Sequence, residues 1–161
     1  MKFLWLRVAS LLVCLLIASG CSLPAKLGGV VVSLTDYRPA SVDTQATLTL
    51  HFSNENIFPL AIAETSGKLY LNGTYVGHLA IKEAMGVAQL STTNRNAVLF
   101  IENPAYIQQL RTSTTEPAIS YRLEISMHVE LTETKKKISK VFTGQIDHAS
   151  LSAKPAAELK N

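Results

Sequence analysis

Few side chains in this sequence stand at spacings that chemistry requires. The four histidines are His51, His78, His128 and His148, and no two of them lie at i, i+2 or i, i+4. Those are the spacings at which one strand or helix aims two imidazoles at a single metal ion. The acids are scattered, with no pair that could divide general-acid and general-base roles. Serine and threonine are plentiful, yet there is no Gly-x-Ser-x-Gly elbow and no Gly-rich phosphate loop. The sequence therefore reads as a non-enzyme, with no metal, no dissociable cofactor and no catalytic residue. Two features remain. One is Cys21, whose thiol would be a reactive liability in an oxidising compartment. The other is the run Lys135-Lys136-Lys137 with Lys140 nearby, which could touch anionic lipid headgroups or an acidic partner. The preferred reading of that run is a solvated hairpin tip whose charge discourages edge pairing, because Glu130 and Glu133 dilute it.

Cys21 follows a leader. Met1-Lys2 and Arg7 supply positive charge, "VASLLVCLLIA" (8–18) is apolar and uncharged, and Ser19-Gly20 are small. That order describes a secretory signal peptide over residues 1–20. The apolar run is far shorter than the roughly 20 residues a membrane span needs, so the anchor reading fails. The other cysteine, Cys14, leaves with the leader, and the mature chain can form no internal disulfide. Lys2 and Arg7 leave as well while no acid does, which takes 15 basic residues to 13 against 12 acidic ones. A balance so close to neutral is no footprint for nucleic acid.

The stretch "LIASGC" (16–21) resembles the lipobox of bacterial lipoproteins, with Ala18 where that family prefers leucine. The resemblance implies a mature chain that begins at Cys21 and carries a diacylglyceryl group on sulfur and an acyl chain on its amine. Two or more acyl chains hold a protein durably, where one does so only marginally. Residues 21–28 would then be a lipidated tether. Ser22 stands where the family's inner-membrane retention signal is aspartate, which points to the outer membrane, facing the periplasm.

The elements that follow are strands. "GVVVSLTDY" (29–37) is rich in β-branched residues, and "ATLTLHFS" (46–53) alternates, with Leu48, Leu50 and Phe52 on one face. In "KLYLNGTYVGHLAI" (68–81), Asn72-Gly73 suits a two-residue type I′ turn. That register pairs Leu71 with Thr74, Tyr70 with Tyr75 and Leu69 with Val76. Strands are also predicted over 87–91 and 96–101, and a short helix over 104–111, with Asn103 as its cap and Pro104 at its first position. "YRLEISMHVEL" (121–131) alternates without a fault. A turn "TETKKK" leads to a return strand over 138–148, whose pattern slips at Gly144 as a bulge would cause. Many short antiparallel strands predict an all-β, two-sheet sandwich, immunoglobulin- or fibronectin-III-like, over residues 29–150. A mobile tail would occupy 151–161.

The strand 46–53 breaks at Asn54-Glu55-Asn56, followed by Phe58-Pro59-Leu60. Asparagine tolerates left-handed backbone and can bond its own backbone two residues on, and Pro59 belongs at an edge or bulge. With the "LNG…VG" hairpin, this pattern resembles the late embryogenesis abundant type 2, or water-stress, domain, whose turn is usually Asn-Pro-Asn. Glu55 departs from it. The resemblance implies an envelope protein that works by binding or by protection against desiccation and stress. The alternatives are an accessory or scaffold subunit with an envelope protein partner, and a carrier that holds lipid in an apolar groove.

Overall fold

The computed structural model describes residues 29–113, 117–131 and 134–152. The leader, Cys21, the tether to residue 28 and the tail from residue 153 lie outside the described residues. The described residues form eight strands: β1 (Val30–Pro39), β2 (Gln45–Asn54), β3 (Leu60–Leu71), β4 (Thr74–Ile81), β5 (Met85–Val87), β6 (Ser91–Ile101), β7 (Ala118–Leu131) and β8 (Thr134–Asp147). Helix α1 (Pro104–Thr112) joins β6 to β7, and a five-residue α2 (His148–Ser152) follows β8.

All strand pairing is antiparallel, as the alternation predicts, in the order β1-β2-β6-β4-β3-β7-β8 with β5 beside β3. The two sheets expected from sequence are replaced by one continuous sheet, rolled until it nearly closes as a barrel. The strands are long, 14 residues in β7 and β8, and several carry register breaks, at Leu34/Asp36 in β1 and at Ile62/Glu64 and Leu69/Tyr70 along β3. Such breaks bend a strand and raise its twist, so one sheet can wrap its own apolar face. At the seam, side chains stand in for ladder bonds. Lys140 Nζ donates to the Val30 carbonyl at 3.1 Å, and the Leu34 N–H donates to the Tyr121 hydroxyl at 3.1 Å.

The inward face holds Leu48, Leu50 and Phe52 of β2, Leu69 and Leu71 of β3, Leu99 of β6, and Leu123, Ile125, Met127 and Val129 of β7. Full burial of such a side chain stabilises the fold by about 1.5–3 kcal/mol. The predicted hairpin forms with Asn72 at φ 44° and Gly73 at φ 80°, the values a type I′ turn needs. Leu71 faces Thr74 and Tyr70 faces Tyr75, but a bulge then sets Leu69 opposite Gly77 in place of Val76. Gly77 is required there, because a Cβ would stand 2.0 Å from the Phe100 carbonyl oxygen.

Three further expectations are corrected. No bulge occurs at Gly144: β8 keeps one register along β7, and the glycine lies opposite Tyr121, whose ring fills the space a Cβ would need. The apparent slip comes from an exposed Val141 on the outer face beside the half-buried Phe142. Lys135, Lys136 and Lys137 are strand residues, paired with Glu130, Val129 and His128, and are not part of the turn. The strand expected over 87–91 is the short β5, because residues 88–90 leave the sheet to reach β6.

Antiparallel neighbours alternate their ends, so one rim collects the start of β1, the end of β2 and the starts of β3, β6 and β8 with the end of β7. The opposite rim is closed by the helices. Ile107 and Leu110 of α1 and Leu151 of α2 are buried there, and Arg111 Nε donates to the Leu151 carbonyl at 2.9 Å. Asn103 caps α1 as expected, its side chain accepting from the Tyr106 N–H.

Candidate functional site

Among the described residues, no helix lies over the first rim. Two loops close it, 55–59 between β2 and β3 and 88–90 between β5 and β6, and Asn54 ties them together. This side chain is 1% exposed. Its Nδ2 donates to the carbonyls of Phe58 (2.9 Å), Ala88 (3.0 Å) and Val87 (3.2 Å). Its Oδ1 accepts from the Asn56 N–H (3.0 Å) and from Asn56 Nδ2 (2.8 Å). Asn56 is also buried, and its carbonyl accepts from the Leu90 N–H at 3.2 Å. The break in β2 is thus a buried polar knot. The predicted bond two residues on is present. The left-handed backbone is not at either asparagine, since the described non-glycine residues with positive φ are Asn72 and Leu90. Pro59 lies between the knot and β3, outside any ladder.

The knot fixes two apolar tips that point away from the core. Ile57 is 80% exposed and Leu90 is 71% exposed. Leu90 also holds φ 48°, a region that costs a residue with a Cβ about 1–2 kcal/mol. A large apolar side chain is therefore kept in water on a strained backbone, where asparagine or glycine would sit at less cost. Strain of this kind is an observation from which function is inferred. The same rim is where the chain enters: the Gly29 carbonyl accepts from the Glu55 N–H at 2.6 Å, and Val30 pairs with Asn54. Across the seam from β1 stand the lysines of β8. Lys135 forms an ion pair with Glu130 at 3.0 Å, and Lys136 and Lys137 are exposed. Sequence reasoning singled out the lysines and the asparagines but missed Ile57 and Leu90. Ile57 could have been noticed beside the Asn54-Glu55-Asn56 break, whereas Leu90 was hidden within the strand expected over 87–91.

The other singled-out residues serve separate local roles. Asn72 Oδ1 accepts from the N–H and hydroxyl of Ser120, which ties the β3–β4 turn to β7, and Gly73 completes that turn. His51 meets Asn94 at 2.7 Å, His128 lies 3.8 Å from Glu64, and His148 Nε2 reaches the Leu110 carbonyl at 2.6 Å. His78 stacks on Phe100 and bonds Glu102 at 2.7 Å. The bonds from His78 and from the Tyr75 hydroxyl hold the Glu102 carboxyl below its ordinary value. Among the described residues no group of three or more His, Cys, Asp or Glu side chains could hold a metal ion. Cys21 lies outside the described residues.

Searches against family models and curated proteins gave no match. Among solved structures, the chain is similar to a protein from Arabidopsis thaliana, with a TM-score of 0.53 at 18% identity over 76% of this chain and 86% of that one. It is also similar to a protein named as a candidate late embryogenesis abundant (LEA) protein, with a TM-score of 0.50 at 14% identity over 91% of this chain and 87% of that one. At these identities the likeness is one of fold.

Proposed function

We propose that this chain is a lipid-anchored protein of the bacterial cell envelope. Its rolled β-domain belongs with the late embryogenesis abundant type 2 domains and acts by binding or protection, without catalysis or cofactor. The observation that carries the anchor is the leader's charged-then-apolar order ending in Leu-Ile-Ala-Ser-Gly-Cys. Supporting the domain assignment is the agreement between the break-and-hairpin pattern in the sequence and a fold that resembles an LEA-designated structure. Ser22, where the lipoprotein family's inner-membrane retention signal is aspartate, supports an outer-membrane anchor facing the periplasm. The test is the intact mass of protein extracted from its own membranes. A chain that starts at Cys21 with acyl mass added supports the reading, whereas one starting at Met1 or bearing a free Cys21 thiol refutes it. Survival of a deletion strain through drying then tests the protective role, and survival equal to the parent's would remove it.

One observation favours an accessory subunit as the second reading. Strand β6 pairs with β2 from Ser91 to Phe100 but with β4 only from Val98 to Ile101. The side of residues 91–97 away from β2 borders an outer-wall cleft of about 800 Å³, lined by Ile81, Lys82, Asn94, Arg95 and Phe100 among others. An extended segment of a partner could add to that edge. A stoichiometric protein retained on gentle extraction would favour this reading. The carrier alternative would need the sheet to unroll, because side chains such as Leu48, Leu50, Leu69 and Leu123 fill its interior.

A further inference from the structure

We propose that the rim where the chain enters is a membrane-docking face, on which Ile57 and Leu90 seat in the bilayer interface while Lys136 and Lys137 lie over anionic headgroups. The inference rests on acylation of Cys21 and says how the anchored domain is oriented.

Four observations converge on one end of the molecule. First, seven residues separate Cys21 from Gly29, which limits that reach to roughly 29 Å even when fully extended. Strand β1 alone has ten residues, about 33 Å. In an upright domain, the rim that holds Gly29 faces the bilayer and the helix-capped rim faces away from it. Second, Ile57 and Leu90 are the most exposed large apolar side chains described, and both are on this rim. Val42, on the opposite rim, is the next at 58%, level with Val141 on the outer wall. Third, the tips are held in place: the Leu90 N–H bonds the Asn56 carbonyl, and Asn54 spans both loops. Docking therefore orders little new chain, which keeps its entropic cost low. Fourth, the lysines of β8 stand beside the chain entry, where Lys140 already reaches the Val30 carbonyl. The charge is local. Glu55, Glu83 and Glu130 share the rim, Lys135 is held by Glu130, and Lys82 adjoins Glu83 in sequence. Attraction to anionic lipid therefore falls to Lys136 and Lys137, next to the seam. Insertion of the apolar tips supplies the contact that does not depend on lipid charge.

A lipid surface fits these features better than a protein partner. Two exposed apolar side chains, on two short loops, fall far short of the roughly 20–30 residues a side that protein interfaces bury. Side chains projecting from loop ends suit a fluid interface that closes around each of them.

The test uses the full chain, expressed with its leader in a bacterium that acylates lipoproteins. It is reconstituted in phosphatidylcholine vesicles with or without phosphatidylglycerol. Once Cys21 is acylated, a single introduced cysteine can be labelled with an environment-sensitive fluorophore. Ile57→Cys and Leu90→Cys are expected to shift to the blue on reconstitution and to be quenched by nitroxide-bearing lipid. Val42→Cys and Thr143→Cys should stay water-like. In the Ile57→Cys background, Lys136→Gln with Lys137→Gln is expected to lower the response to phosphatidylglycerol about fivefold per lysine. An intact mass without acyl chains sinks the anchor and this orientation with it. Acylated protein with water-like labels at 57 and 90 sinks the docking alone. A shift at Thr143→Cys as large as at 57 shows a domain lying on its wall and overturns the proposal. So does protection of 57 and 90 that persists in detergent with a co-purified protein.

Discussion

Substitution of Asn54 separates two accounts of the break in β2. If Asn54 matters as a turn former, aspartate should replace it, because both residues favour turns and both accept a bond from the N–H two residues on. If Asn54 matters as a knot, its amide hydrogens are indispensable, since they serve the carbonyls of Phe58, Val87 and Ala88. Asn54→Ala strips three buried groups of the partner that Asn54 supplies, the Asn56 N–H, the Asn56 Nδ2 and the Val87 carbonyl. Each orphaned group costs about 1–3 kcal/mol. The Phe58 and Ala88 carbonyls are partly buried and can turn to water, so they add little. The total is roughly 6 kcal/mol, which for a domain of this size lowers Tm by about 15–30 °C. Asn54→Asp keeps the acceptor but turns a carboxylate oxygen towards carbonyl oxygens in a buried site, so it should melt no higher than Asn54→Ala. The assay is thermal unfolding of the full chain followed by circular dichroism. An Asn54→Asp protein that melts with the native one would refute the knot. Amide exchange at Leu90 gives a second readout, because losing the knot should speed it in both variants.

Other substitutions test the packing and the rim. Gly77→Ala forces a Cβ to within 2.0 Å of a backbone oxygen in the paired strand and should cost about 3 kcal/mol or more by denaturant titration. Gly144→Ala meets the Tyr121 ring at 2.6 Å and should cost about 1–3 kcal/mol, while Gly86→Ala meets nothing within 4 Å and should stay within about 0.5 kcal/mol. Leu90→Gly relieves left-handed strain of about 1–2 kcal/mol, offset by glycine's freer unfolded chain at about 0.5–1 kcal/mol. A modest rise in Tm is expected, together with weaker docking to vesicles. Glu102 should titrate below 4.5 by carbon NMR, and His78→Ala should move it upward, because the His78 bond is the largest cause of its depression. A carboxyl lowered in the folded state adds stability above its unfolded value. That contribution is lost as pH falls through the folded value, so Glu102 should help from about pH 4.5 upward and cease to help below its lowered value.

Much of the secondary structure was legible because its determinants are local. The alternation of β7, the Asn72-Gly73 turn and the Asn103-Pro104 helix start each depend on residues close together in sequence. The rolled sheet was not legible, since it depends on where bulges fall and on which strands become neighbours. The pairing of β6 with both β2 and β4 leaves no mark within any one segment. Gly144 misled for the same reason: a glycine reads as a bulge until Tyr121, across the ladder, is seen to need the space. The lysines were visible as a cluster but assigned to the turn, because charge alone does not say where a hairpin reverses. Asn54 and Asn56 are legible as turn residues, while the bonds from Asn54 to Val87 and Ala88 and from the Leu90 N–H to the Asn56 carbonyl join segments more than thirty residues apart.

The two rims solve one problem in opposite ways, and the contrast carries the functional argument. At the helix-capped rim, apolar side chains turn inward: Ile107, Leu110 and Leu151 cover the end of the core and are buried. At the entry rim the loops turn their polar groups inward, onto Asn54 and Asn56, and their largest apolar side chains outward. A lid selected for stability alone would bury Ile57 and Leu90, each worth about 1.5–3 kcal/mol, and leave the amides to water. The observed arrangement forgoes that gain and adds backbone strain at Leu90. It is coherent if the surroundings of the tips are not water. A chain tethered within eight residues of Gly29 by acyl groups would place a bilayer there, and the same tips would then complete a burial that the fold leaves open.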